Sequence, residues 1–261
     1  IKEPAAFWTA LCDFCGIRFE RAADQVLSRP DNIMDAGWFA GAELNFAAHM
    51  LRHTGDEAAI IFSGEDGSRR ELSRDQLRDS VARVAAALRK HGIEKGDRVA
   101  GFLPNCPEAV IAMLATASLG AIWSSCSPDF GKNGVVDRFG QIEPKVLFAT
   151  NAYFYNGKIC DTRDTVRAVA ADIPSLVATV VIPFVDSVST EIGLDIAIPY
   201  AEFLVDDTTL DIVAVDFNHP LYVMFSSGTT GVPKCIVHGH GGTLLQQSPK
   251  DSPLPVVLWE I

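Results

Sequence analysis

The sequence predicts an α/β fold: a mostly parallel sheet flanked by helices. Three observations carry that expectation. From about residue 43 onward, short apolar runs of strand length alternate with segments of helical period, the pattern of strand–helix–strand units. Glycine and proline punctuate those segments where helices start and stop, with Pro107 at a first helical position and Gly92 and Gly120 after helical runs. The 261 residues are 48% hydrophobic and 21% charged, a balance that buries a sizeable core in one large or two small domains.

Taken in order, the apolar spacing Phe7–Trp8, Leu11, Phe14–Cys15 predicts a short first helix, and Glu43 to His53 a second. Ala58 to Phe62 reads as a buried strand, Gly64 to Gly67 as its turn, and the polar stretch through Leu72 as the return strand. Ser73 then caps an amphipathic helix. Gln76 completes the capping box, Leu77, Val81, Val84, Ala85 and Leu88 line one face, and Gly92 closes it. Arg98–Leu103 is a strand, Pro107 opens a helix that Gly120 ends, and Ala121–Ser125 is the next strand. Such a unit implies parallel pairing across a crossover helix. The pattern repeats with helix 135–142, strand 145–149, helix 161–172 and strand 176–183, whereas 187–216 lacks periodicity. A strand returns at Leu221–Phe225, and Gly242–Gln246 begins a helix. No internal repeat or low-complexity segment is present.

Charge and cysteine usage exclude several functions. A net charge of −11, without a run of Lys or Arg, argues against nucleic acid and anionic membranes as partners. The longest nearly apolar stretch, Ala109 to Trp123, falls short of the ~20 residues a bilayer core demands. Six scattered cysteines read as reduced thiols in a cytoplasmic compartment. Cys12 and Cys15 lack the second pair of a zinc site and lie within a helical run, so they read as core packing, and no metal ligand is assigned. Met50 stands where a zincin would place Glu between His49 and His53. An oxidoreductase reading would need a Gly-x-Gly-x-x-Gly after an early strand, and the sequence has none. The chain begins at Ile1 rather than Met, so a fragment or a partial reading frame is expected.

The segment that carries chemistry is Ser226-Ser227-Gly228-Thr229-Thr230-Gly231-Val232-Pro233-Lys234, set between the apolar strand ending at Phe225 and a second, Cys235–His238. Glycines let backbone N–H groups turn toward an anion, hydroxyls add donors, and Lys234 adds a point charge. It is not a Walker A loop, because Pro233 precedes the lysine and no hydroxyl follows it. The loop is expected to be a solvent-facing anion site rather than a packed hairpin, since Val232 is its one apolar side chain.

These nine residues resemble the signature of the adenylate-forming enzymes. The resemblance implies that Ser226, Ser227, Thr229, Thr230 and Lys234 contact the ATP phosphates, with Gly228 and Gly231 as backbone enablers and Lys234 as the catalytic residue. It also implies that Mg²⁺ and coenzyme A take part, through an acyl-adenylate. It extends over about residues 7 to 247. Trp38-Phe39-Ala40-Gly41-Ala42-Glu43-Leu44-Asn45-Phe46 is similar to the N-terminal segment of acetyl- and acetoacetyl-CoA synthetases. Trp123 to Gly131, with Asp137-Arg138-Phe139 and Ile142 to Lys145, is similar to the acetoacetyl branch. That likeness implies a segment 1–57, an adenylation domain 58–247 and a divergent tail 248–261, acting on acetoacetate in a cytoplasmic ligase. An acetyl- or propionyl-CoA synthetase, or a non-catalytic nucleotide-binding module, stays open as an alternative. Three further residues are candidates for the substrate or coenzyme A side. Trp123 begins the segment that leaves a strand and enters a helix and reads equally as core, Lys158 in Tyr155-Asn156-Gly157-Lys158 reads also as a solvated surface residue, and His238 reads also as structural. Three prolines in Gln247 to Pro255 break the family pattern. The adenine and ribose contacts and the C-terminal lid that the resemblance implies are not in this chain, so it is expected to be inactive alone.

Overall fold

The structure, a computed structural model, describes residues 2–32, 35–226, 231–247 and 256–259. Helix α1 (Pro4–Phe14) starts with proline in its first turn and buries Cys12, and Cys15 is buried just beyond it. An antiparallel ribbon follows, β1 (Gln25–Ser28) with β2 (Gly37–Ala40), and Trp8 meets Trp38 edge-on at 5.7 Å.

The helix expected over Glu43–His53 is shorter. Glu43–Leu44 forms the two-residue strand β3, and α2 spans only Phe46–Met50. Asn45 decides this: its side chain caps α2 by accepting from Ala47 N while its amide donates to Ala117 O and Val213 O, both at 2.8 Å. A residue so engaged at an extended backbone position stops helix from extending backward.

Strands β4 (Ala58–Ser63) and β5 (Arg69–Ser73) pair antiparallel, and α3 (Arg74–Lys90) begins with both halves of the Ser73/Gln76 capping box formed. The α/β unit follows as read: β6 (Arg98–Phe102), α4 (Pro107–Ser118), β7 (Ile122–Cys126), α5 (Lys132–Ile142) and β8 (Val146–Thr150). Where the sequence reading had no strand, β9 (Ala152–Tyr155) and β10 (Lys158–Asp161) form a hairpin, so α6 starts only at Arg163 (Arg163–Ala171). After β11 (Ala178–Ile182), the aperiodic region holds β12 (Ala197–Pro199), α7 (Tyr200–Phe203) and β13 (Val215–Asp216), the last paired with β3. Then come β14 (Pro220–Ser226), β15 (Lys234–Gly239), α8 (His240–Gln247) and β16 (Val256–Trp259), which adds parallel to β4.

The main sheet has seven strands in the order β12-β11-β8-β6-β7-β14-β15, parallel except for the last pair. Alternation along its strands divides the interior between the two faces. Val99, Val146, Phe148 and Val180 join the core containing residues of α3 and α4, whereas Ala100, Phe102, Leu147 and Val181 join the one containing residues of α5 and α6.

Candidate active site

From β6 the chain crosses through α4 to β7 on one side, while from β8 it crosses to β11 on the other. Adjacent β6 and β8 therefore diverge at their C-terminal ends, the place where open α/β sheets bind ligands. A cavity of about 350 Å³ opens there. Its walls are Leu103 to Asn105 after β6, Ser125 to Asp129 at the end of β7, and Tyr153 and Tyr155 of the hairpin.

The β9–β10 hairpin turns at Asn156 (φ 50°) and Gly157 (φ 71°), the left-handed pair that a tight hairpin turn requires. Glu65, from the β4–β5 turn, clasps its tip: the carboxylate accepts from Asn156 N at 3.1 Å and Gly157 N at 3.3 Å. Its base is fixed by buried Asn151. Asn151 Oδ1 accepts from the backbone N–H groups of Ala152, Phe184 and Val185, and Nδ2 donates to Val185 O and Val188 O. Tyr153 and Tyr155 face the first cavity, while Phe154 faces a second of about 270 Å³ with Phe62 and Phe184. That second cavity also holds Arg70, paired with both Glu108 oxygens at 2.8 and 2.7 Å.

The phosphate-loop segment connects β14 to β15, which pair antiparallel from Pro220↔Gly239 to Ser226↔Lys234. Ser226 thus ends β14 on the same sheet edge where Cys126 ends the neighbouring β7. Ser227, Gly228, Thr229 and Thr230 lie outside the described residues. Of the rest, Gly231, Val232 and Lys234 are exposed and Ser226 is half-buried. Gly231 has φ 94°. Helix α5 holds the far end of the loop, since Gln141 Nε2 donates to Pro233 O at 2.9 Å.

The other candidates separate. Lys158 is exposed at the hairpin tip, paired with the cavity-lining Tyr155. His238 is half-buried on β15, its ring 5.1 Å from that of Tyr222. Trp123 lies in the core, its indole against Gly101, and is not among the residues lining either cavity. His240, buried at the start of α8, accepts from Phe46 N through Nδ1 at 3.0 Å, and burial pushes its pKa down to about 3. Burial raises the Cys126 thiol to about 11, with the nearby Arg138 opposing the shift. Among the described residues no group of three His, Cys, Asp or Glu side chains is placed to hold a metal ion. The sequence reading missed the hairpin itself and Asn151. The Asn156-Gly157 dipeptide flanked by Tyr153–Tyr155 and Ile159 was its available signal.

The family model of the AMP-binding enzymes matches residues 46–251, most of the chain. The chain belongs to that family. Among curated relatives, an acetoacetyl-coenzyme A synthetase from Rhizobium meliloti (strain 1021) is 48% identical over 249 residues, covering 94% of this chain and 38% of the relative. An acetoacetyl-CoA synthetase from Macaca fascicularis is 45% identical over 258 residues, with the same two coverages. A solved acetoacetyl-CoA synthetase from Streptomyces lividans superposes with a TM-score of 0.87 at 41% identity, again over 94% of this chain and 38% of that one. The chain therefore spans 38% of the length of each. Among its described residues, no helix is long and apolar enough to cross a membrane.

Proposed function

We propose that this chain carries the phosphate-gripping and coenzyme A-facing parts of an ATP-dependent ligase that converts acetoacetate to acetoacetyl-CoA through an acyl-adenylate. The observation that carries this reading is the Ser226–Lys234 connection. It leaves the sheet at the same C-terminal edge as the cavity, and Gly231 and Lys234 at its described end are exposed. The preference for acetoacetate is supported by the names of the relatives at 45–48% identity.

In this reading the ATP β- and γ-phosphates lie in the loop, bound by the hydroxyls of Ser226, Ser227, Thr229 and Thr230 and by Lys234. Gly228 and Gly231 permit the backbone to approach. Lys234 neutralises charge as an acetoacetate oxygen bonds to the α-phosphorus and pyrophosphate departs. Mg²⁺ would be held by the phosphates themselves, as this ion commonly is, and would screen their charge. The coenzyme A thiolate then bonds to the acyl carbon and AMP leaves. In the same reading Lys158 at the hairpin tip would meet the nucleotide end of coenzyme A and His238 would border the acid subsite, whereas Trp123, packed in the core, would support the sheet beneath it rather than touch a ligand. Residues 1–57 would form the synthetase-type N-terminal segment, 58–247 the adenylation portion and 248–261 a divergent tail. Six free cysteines support a cytoplasmic setting.

The chain by itself is expected not to turn over acetoacetate, because the relatives it matches extend well beyond it. The test is calorimetric titration of ATP·Mg²⁺ into the purified chain and its Lys234→Ala variant, with AMP release measured in parallel. Removing one charge-assisted phosphate contact should weaken binding about tenfold while the melting temperature holds. Equal affinity in both proteins would overturn the loop assignment. Sustained acetoacetate-dependent AMP release above the variant would show the chain to be a complete enzyme.

A further inference from the structure

We infer that Arg138 is a second cationic contact for the ligand's phosphates, standing between the loop and the cavity. The inference rests on the phosphate-loop reading but on different atoms. Arg138 lies on α5 one helical turn before Gln141, so both side chains share a face. Gln141 holds one end of the loop through Pro233 O and touches Cys235 Sγ at 3.5 Å. At the other end, the Arg138 guanidinium carbon is 6.0 Å from the ring centre of Phe225, the residue before Ser226. The same carbon is 4.4 Å from the ring centre of Phe130, next to the cavity-lining Asp129. Its charge is felt at Cys126 in the cavity wall.

A guanidinium lying on aromatic faces keeps its N–H edge in plane and available. Nη1 donates to Gly134 O at 2.6 Å, and among the described residues no carboxylate pairs with Arg138. Elsewhere in this chain of net charge −11 carboxylates are plentiful. A half-buried arginine without one, its guanidinium over the Phe130 ring and near Phe225 at the start of the loop, is arranged for an anion brought from outside. The matching chemistry is a polyphosphate or diphosphate ester, which arginine binds through paired N–H groups. ATP supplies it from the loop side and coenzyme A from the cavity side.

The test is calorimetry with the chain and three variants, Arg138→Gln, Arg138→Lys and Lys234→Ala, titrated separately with ATP·Mg²⁺, tripolyphosphate and coenzyme A. Thermal melts confirm folding. The expectation is an affinity loss of about tenfold or more in Arg138→Gln, partial recovery in Arg138→Lys, and a shallower salt dependence in the glutamine variant. Loss confined to ATP and tripolyphosphate identifies the loop side as the source, and loss confined to coenzyme A the cavity side. Unchanged affinities for all three in Arg138→Gln, with Lys234→Ala still weakened for ATP, would overturn the role of Arg138 and leave the loop reading standing. Weakening in Arg138→Gln with no effect of Lys234→Ala would do the reverse. No binding of any probe by the unsubstituted chain would remove both.

Discussion

Asn151→Ala should be among the most costly single substitutions outside the apolar core. The side chain is fully buried and makes five hydrogen bonds of 2.6–3.1 Å, three as acceptor and two as donor. Each is worth about 1 kcal/mol net, and truncation leaves buried backbone groups that water cannot reach, so the loss is about 3–5 kcal/mol. At roughly 2–4 °C per kcal/mol for a chain of this size, the melting temperature should fall by about 10 °C. Asn151→Asp keeps the accepting oxygen but buries a second carboxylate oxygen against Val185 O and Val188 O, acceptor facing acceptor, so it should cost at least as much as alanine. Hydrogen exchange adds the local readout, with amides in 152–161 and 183–188 losing protection ahead of those in β6 and β8. A fall of less than about 2 °C with unchanged exchange would show that Asn151 does not hold the hairpin and the post-β11 turn together.

Other consequences are as specific. Gly101→Ala would set a methyl 2.6 Å from Trp123 Cζ2 and 2.7 Å from Cη2, so it should cost about 1–3 kcal/mol by overpacking and shift tryptophan emission; an unchanged melt would refute that packing. His240 has a folded pKa near 3, below the ordinary 6.5, so the unfolded chain takes the proton first. Its contribution is intact above about 6.5 and shrinks as pH falls toward 3, at up to about 1.4 kcal/mol per pH unit, and urea melts of His240→Gln should show a flatter slope across that window. With Ellman's reagent the exposed Cys235 should react first, while Cys12 and Cys126, both raised by burial to about 11, and the still higher Cys106 should wait for unfolding. Prompt native labelling of Cys106 would contradict its burial.

Where local chemistry decides structure, the sequence was readable. Ser73 and Gln76 form the capping box their spacing announces, and Pro107 and Gly120 bracket a crossover helix between parallel strands. Long-range partners were not readable. Glu43–Leu44 looks helical until β13, some 170 residues on, supplies its antiparallel partner, and tertiary pairing overrides helical spacing. Val256–Trp259 becomes a strand only because β4 offers an open edge. In the site, the loop announced itself by composition, whereas Arg138 did not. Nothing in Asp137-Arg138-Phe139 says that its charge lacks a carboxylate partner, because that depends on which acidic residues folding leaves out of reach.

The β9–β10 hairpin is a partition one strand thick. Tyr153 and Tyr155 furnish one chamber and Phe154 the other, so each room can be redecorated by substitution without disturbing its neighbour. Length is a different matter. Because side chains alternate with a period of two, inserting one residue ahead of Tyr153 would turn both tyrosines into the aromatic chamber beside Arg70 and present Phe154 to the switch-point cavity. Evolution along this wall should therefore proceed by exchange of residues and avoid single-residue insertions and deletions. Any change of length should come in twos, or together with a compensating change at the Asn156-Gly157 turn.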